Sequence, residues 1–460
     1  MTHGLLTGLN DSLNQRPPLV SRAGRGSRGQ WALDYSCVSK VAVVRRRGRE
    51  RGLVITGVGL LVAACTGSQS GSQPAGVSAT SSSSARVASE TPGTSRLAVS
   101  ASTARITESQ PPSSPPRRPC TTESVLRTWS LTRLAEQVVV VPAEETDVAS
   151  VTAEAAAGAG GVILFGSRAP SDLSSSLSRL ARVEPNGLAP LVMTDEEGGA
   201  VQRLANRLGS IPSARQMGAT MSAGQIEQLA LHAARRMRLA GITMDLAPVL
   251  DLDAGAGPNN ADAIGTRSFS TDRKITSTDG LAFAAGLRAG GVIPVVKHFP
   301  GLGGATGNTD VEPASTRPWS RIQAADLLPY QAAIHAGIPA IMVTNARVPG
   351  LTTLPASISS TVITGVLRGR LGFSGLVVTD SLSAGALQSA GYSVPRAAVA
   401  AVRAGADMVL YSAASAAVAA LTSQTVSAIV SAVRRGDISL DRLLDAAGHV
   451  VGAKRVDLCH

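Results

Sequence analysis

QIEQLALHAARRMRLAGITMDLAPVLD, residues 225–251, holds a complete structural unit. In its first part Ile226, Leu229, Ala230, Ala233 and Met237 recur at three- and four-residue spacing, which puts them on one face of a helix. Gly241 ends that pattern, and glycine suits the left-handed position that closes a helix. The apolar run ITMDLAPVLD (242–251) follows and finishes on Asp251. A helix, a glycine stop and a buried strand running into a carboxylate make a building block of a parallel sheet.

The same pattern recurs along the chain. Apolar, β-rich runs stand at VVVVPA (138–143), GVILFG (161–166), PLVMTDEE (190–197), ITMDLAPVLD (242–251), IPVVKHFPG (293–301), AIMVTNA (340–346), GLVVTDSL (375–382) and DMVLYS (407–412). Ala-rich helical stretches separate them, several closed by a glycine expected in the left-handed conformation: Gly241, Gly290, Gly337, Gly372 and Gly405. Eight such units predict a (β/α)8 barrel, an α/β fold forming a single domain over 120–460; an open doubly wound sheet is the alternative. Barrel chemistry sits where strands run into loops on the C-terminal side. The polar residues gather there: Asp195, Glu196 and Glu197; Asp251; Lys297 and His298; Asn345 and Arg347; Asp380.

The net charge of +11 is confined to one part of the chain. Residues 1–120 carry 15 Lys/Arg against 5 Asp/Glu, and residues 121–460 carry 28 against 27. A nucleic-acid-binding domain needs its excess charge on its own surface, so no nucleic-acid partner is expected. The leader holds an arginine-rich stretch from Arg45 to Arg51, an apolar run from Leu53 to Ala64, and then Cys65. That order is a secretory signal, with an apolar run too short to span a bilayer permanently. A cysteine directly after Val62-Ala63-Ala64 resembles a bacterial lipobox, which implies lipidation at Cys65 and an extracytoplasmic protein anchored to the cell membrane. Residues 1–40 fit no such signal, which places the start of translation near Val41 or Val44. Residues 66–119 are rich in Ser, Thr, Pro, Gly and Ala and bury too little surface to order, so they read as a tether.

Cys120 and Cys459 bracket the folded part. In an oxidising compartment they are expected to form a disulfide, with two free thiols the alternative. No cysteine and histidine spacing suggests a metal site.

Seven stretches in order resemble the family 3 glycoside hydrolases, in particular the single-barrel β-N-acetylglucosaminidase branch and its actinobacterial lipoproteins. They are DEEGGAVQRL (195–204), MDLAPVLDL (244–252), IGTRSFSTD (264–272), VVKHFPGLG (295–303), DLLPY (326–330), LPASIS (354–359) and GLVVTDSL (375–382). The resemblance implies that Asp380, otherwise readable as a helix cap, is the nucleophile of a retaining mechanism. It also implies that Asp195, Arg203, Arg267, Lys297 and His298 hold a terminal sugar, with no metal or organic cofactor. A carbohydrate substrate, a lipid anchor and a monomeric state follow. The low aromatic content, 3%, favours a pocket for one sugar over a long stacking platform; Phe269 and Phe299 read equally as pocket walls and as core.

The loop KHFPGLGGATGNTDVEP (297–313) departs from that family. Leu302 stands where the branch has a histidine, and Asn308-Thr309-Asp310 replaces the Asp-Ser-His element whose Asp and His are the acid/base pair. Asp310 is the candidate to take over, with Glu312 second, while the carboxamide of Asn308 has no usable proton. Gly301, Gly303, Gly304 and Gly307 predict a mobile loop able to close on a substrate. The expectation is an exo-acting β-glycosidase on cell-wall fragments. The alternatives are a glycan-binding lipoprotein with little turnover, and a partner-binding envelope protein with a vestigial pocket.

Overall fold

The structure is a computed structural model that describes residues 120–184 and 187–459. The upstream segment 1–40, the signal 41–65 with Cys65 and the tether 66–119 lie outside the described residues. Each of the eight apolar runs forms a strand, shorter than its run except at β1, which is shifted by one residue: β1 Val139–Glu144, β2 Gly161–Phe165, β3 Leu191–Thr194, β4 Met244–Asp245, β5 Ile293–Phe299, β6 Ala340–Val343, β7 Leu376–Thr379 and β8 Val409–Leu410. The shortening is greatest at β4. The ladder there stops before Pro248, which has no N–H to donate; its carbonyl instead accepts from Lys297 N at 3.2 Å. Asp251 is thereby carried beyond the strand end.

All eight strands pair in parallel in the order β7-β6-β5-β4-β3-β2-β1-β8. A bridge between Val378 and Met408 joins β7 to β8, so the sheet closes on itself as a (β/α)8 barrel. Side chains from every strand fill its interior, among them Val140, Ile163, Met193, Met244, Val295, Met342, Val378 and Met408. Burial of each contributes about 1.5–3 kcal/mol, so the barrel centre is packed core and the chemistry is pushed to its rim.

The helix Ala223–Ala240 starts on a capping box at Ser222 and ends on Gly241 at φ 96°, as its sequence predicts. Ile226, Ala230, Ala233 and Met237 are buried. Leu229 is only half-buried, and Ala234 takes the place expected of it. The neighbouring helix Arg273–Ala289 explains this: a Cβ on Gly290 would lie 2.3 Å from that of Ala234. Gly290 therefore leaves space for a close helix approach, and the left-handed position expected of it is taken by Gly291 at φ 85°.

The last helix, Leu440–Lys454, crosses the end of the barrel away from the strand C-termini, where Val450 and Ala453 pack into the interior. Five residues on, Cys459 is bonded to Cys120, with Cα atoms 5.8 Å apart. Residues 120–459 thus carry a complete barrel with its helical cover, and a chain beginning near Arg118 has what it needs to fold. Closing so long a loop restricts the unfolded chain, and Cys459→Ser is expected to cost roughly 2–4 kcal/mol. Thermal melts of the oxidised wild type and the variant should differ by several degrees; coincident melts would contradict this.

Candidate active site

The C-terminal ends of β3, β5 and β7 and the loop after β4 converge on one rim. Asp195 directly follows β3. The chain then turns through a small hairpin, Glu196–Gly198 paired with Val201–Gln202, which returns Arg203 to Asp195. Arg203 N donates to the Asp195 carbonyl at 3.3 Å, its Nη2 lies 3.6 Å from Asp195 Oδ2, and its guanidinium stands 5.7 Å from the Phe165 ring centre.

Lys297, at the end of β5, is buried between two carboxylates, 2.7 Å from Asp195 Oδ1 and 2.6 Å from Glu197 Oε1. Arg267 grips Glu197 with two bonds of 2.8 Å each, donates to the Ala263 carbonyl and lies 3.3 Å from His298 Nε2. On the far side of the imidazole, Nδ1 is 2.7 Å from Asp251 Oδ2. Asp251 also accepts from the backbone N–H of His298 and Leu302 and from the Tyr330 hydroxyl. The imidazole is thus held between Asp251 at Nδ1 and Arg267 at Nε2.

Burial alone would disfavour all these charges; pairing reverses that. Desolvation pushes the Asp195 carboxyl up, but Lys297 and Arg203 outweigh it and hold it below its ordinary value. Glu197 is likewise desolvated, yet Arg267 and Lys297 hold it far below the usual carboxylate range. Lys297 remains above its ordinary value because Asp195 and Glu197 overcome its burial. Next to this lattice, Glu196 has no cation to offset its desolvation and is pushed up to about 7. Its Oε1 caps the N–H groups of Arg203 and Leu204, at 3.0 and 2.7 Å.

Asp380 follows β7. Its N–H donates to the Val343 carbonyl at 3.0 Å and its Oδ1 accepts from Ser381 N at 2.8 Å. The next helix begins at Gly385 with Ala384 as its cap, so Asp380 does not serve as a helix cap. The loop after β5 is fastened to this same segment: Gly385 N donates to the Asp310 carbonyl and Ala386 N to that of Thr309, each at 3.0 Å. A Cβ on Gly385 would lie 2.2 Å from the Val311 carbonyl, so glycine is what permits the contact.

Asp310 is exposed at the mouth. Lost hydration, then the negative charge of Asp380, push it up to about 6, against the pull of Arg267 and His298. Glu312 folds the other way: a Cβ on Gly307 would lie 2.8 Å from its Oε1. The structure therefore brings Asp310, and not Glu312, to Asp380.

The expectation of a mobile loop is corrected, the open reading of two phenylalanines is decided, and two further residues join the site. The loop glycines do not make a free lid; a Cβ on Gly303 would lie 2.1 Å from the Leu252 carbonyl, and Asn308 ties the turn by accepting from Asp310 N and donating to the Asn259 carbonyl. Phe269 and Phe299 are core residues, 2% and 0% exposed, and Phe165 is the aromatic beside Arg203. Glu197 and Asp251, given no role from the sequence, join the sugar-binding candidates into one lattice. A signal for Glu197 was present: in extended chain, Asp195 and Glu197 fall on the same face.

A closed barrel carrying two interacting carboxylates beside a lattice of Lys, Arg and His at its strand ends defines a glycoside hydrolase. The chain belongs to glycosyl hydrolase family 3, whose N-terminal domain matches residues 134–453. It is 36% identical over 287 residues to the β-hexosaminidase LpqI of Mycobacterium tuberculosis, covering 61% of this chain and 72% of that protein. A family 3 glycosyl hydrolase from Mycobacterium smegmatis superimposes with a TM-score of 0.64 at 34% identity, covering 71% of this chain and 98% of that one. The β-N-acetylhexosaminidase of Beutenbergia cavernae gives a TM-score of 0.64 at 31% identity over 71% of this chain and 99% of that one.

Removing Lys297 would strand two buried carboxylates. Lys297→Met is expected to destabilise the fold by about 3–5 kcal/mol, read as a lower midpoint in urea. A change below about 1 kcal/mol would mean that the lattice does not hold β3 to β5.

Proposed function

We propose that the protein is an exo-acting, retaining β-N-acetylhexosaminidase that removes a terminal sugar from cell-wall-derived glycan fragments, with Asp310 as its acid/base. The observation that carries the reading is the Asp310 carboxyl, raised to about 6 beside Asp380. Two carboxyl groups whose surroundings push their protonation apart are the pattern of an acid paired with a nucleophile.

The reaction follows in two displacements. Asp380 attacks the anomeric carbon while Asp310 passes its proton to the leaving oxygen, which departs as an alcohol and leaves a glycosyl ester on Asp380. Asp310, now ionised, takes a proton from water, and the hydroxide so formed at the anomeric carbon releases the sugar with its configuration retained. Asp195, Arg203, Arg267, Lys297 and His298 bind the ring hydroxyls, Asp195 accepting and the cations donating. The relatives named as β-hexosaminidases support the sugar class.

The cellular setting rests on the leader. Residues 41–65 act as a signal with lipidation at Cys65, residues 66–119 as a tether, and 120–460 as the catalytic barrel held as a monomer outside the cytoplasmic membrane. A relative described as a secreted glycosyl hydrolase, from Arthroderma benhamiae and 35% identical, is consistent with that location. The exchanged Asn308-Thr309-Asp310 element favours one second reading, a glycan-binding lipoprotein with little turnover.

The test is release from an activated aryl N-acetyl-β-glucosaminide by the chain from Arg118, with intact-protein mass recorded in parallel. Sustained release, lost in Asp380→Asn and slowed about 10²- to 10⁴-fold in Asp310→Ala, is expected. A single burst with one sugar left on the protein would show a nucleophile without a base, and no release would favour the binding protein. Because Asp310 must carry its proton in the first step, kcat/KM on an unactivated disaccharide should fall as pH rises through about 6. A profile flat from pH 5 to 8 would remove Asp310 from that role.

A further inference from the structure

The barrel end opposite the active site carries an unusual excess of free positive charge. It is marked by Lys454, whose Nζ donates to Gln137 Oε1 at 3.0 Å and to the Leu188 carbonyl at 3.2 Å, both just before strands β1 and β3. Helices of the barrel run back to this end, and exposed arginines stand in their last turns or just beyond, with Arg235 one turn earlier: Arg182, Arg235, Arg238, Arg288, Arg434 and Arg455. Their contacts confirm the level. Arg238 donates to the Ile242 carbonyl before β4, and Arg288 to those of Ala336 and Gly337 before β6. Among the described residues none of the six has a carboxylate partner. Of the acids nearby, Asp437 is held by Arg435 and Asp445 by Arg442, Asp441 shares Arg127 with Glu123, and Asp457 accepts from Cys459 N.

A cation at a helix C-terminus favours the helix dipole, and that accounts for one arginine per helix. It does not account for Arg235 and Arg238 on the same helix, for Arg182 beyond a helix end, or for Leu239. Leu239 follows Arg238 and is 79% exposed, more than any other large hydrophobic side chain among the described residues. A basic face with a projecting apolar side chain at its edge forms a surface suited to an anionic lipid interface. The chain also enters here, since Cys120 is bonded to Cys459 beyond Lys454. Residues 121–460 are nearly neutral in sum, 28 cations against 27 anions, so this excess is balanced elsewhere, including the acidic mouth with Asp195, Asp251, Asp310 and Asp380.

We propose that this basic face, with Leu239 at its edge, docks on an anionic phospholipid bilayer and turns the active-site mouth away from the membrane. Arginines hold lipid phosphates, Leu239 enters the headgroup boundary, and the mouth is presented to glycan on the far side.

The experiment uses the chain from Arg118, which lacks both the leader and Cys65, so that neither contributes. It is sedimented with vesicles of phosphatidylcholine alone or with 30 mol % phosphatidylglycerol, in low and in raised salt. Salt-sensitive binding to the anionic vesicles alone is expected. Arg235→Glu with Arg238→Glu should weaken it at least about tenfold, and Leu239→Ser should weaken it a few-fold, both leaving aryl glycoside hydrolysis in solution unchanged. Arg273→Glu with Lys274→Glu, near the mouth, should bind vesicles as the wild type does. The proposal is overturned by no binding, by equal binding to neutral vesicles, or by face variants that bind like wild type. Retention on a soluble anionic polysaccharide without vesicle binding would also overturn it, assigning the face to an anionic polymer.

Discussion

Lys297, buried between Asp195 and Glu197, is the constraint on which the rest of the site depends. Its cation joins the end of β5 to the segment that follows β3, and through Glu197 it reaches Arg267 and so His298 and Asp251. Charges buried this deeply are tolerated only when each is met by an opposite charge and further hydrogen bonds. The result is a rim whose donors and acceptors hold one another in place. The apolar barrel interior beneath it gives the lattice its rigidity, because packed side chains from all eight strands leave no room for the strand ends to shift.

Against that fixed rim, Asp310 is placed by different means. Among the described residues no cation forms an ion pair with it; backbone bonds from Gly385 and Ala386 fasten its loop to the chain just past Asp380. The two carboxyl groups are thus positioned as a pair by the main chain, and lost hydration, with the charge of Asp380 added to it, raises Asp310 to about 6. A histidine in this role would be protonated by its own ordinary basicity. A carboxyl needs crowding and a neighbouring anion to do the same, and both are present.

The barrel was legible in the sequence because burial leaves a direct trace: strands packed on both faces must be apolar runs, and their C-terminal ends must turn polar where the core stops. Asp195, Arg203, Lys297, His298 and Asp380 could be found that way and by likeness to a family. Partnerships spanning long stretches of chain could not. His298 meets Asp251 and Arg267 meets Glu197 only once the barrel has closed, and nothing local at either partner announces the other. The glycines misled for a related reason. Gly290 and Gly303 answer to a neighbouring helix and a neighbouring carbonyl, which a local reading of turns and flexibility cannot see.

Asp310 is proposed as the acid/base in place of the histidine that the family resemblance implies. Azide tests it most directly in Asp310→Ala, since this small anion attacks a glycosyl-enzyme without help from a general base. If Asp310 is that base, azide should restore turnover of an activated aryl glycoside, and the product should be the glycosyl azide of retained β configuration. An Asp310→Ala enzyme that turns over as the wild type does, or a slowed one that azide leaves unchanged, would contradict the claim.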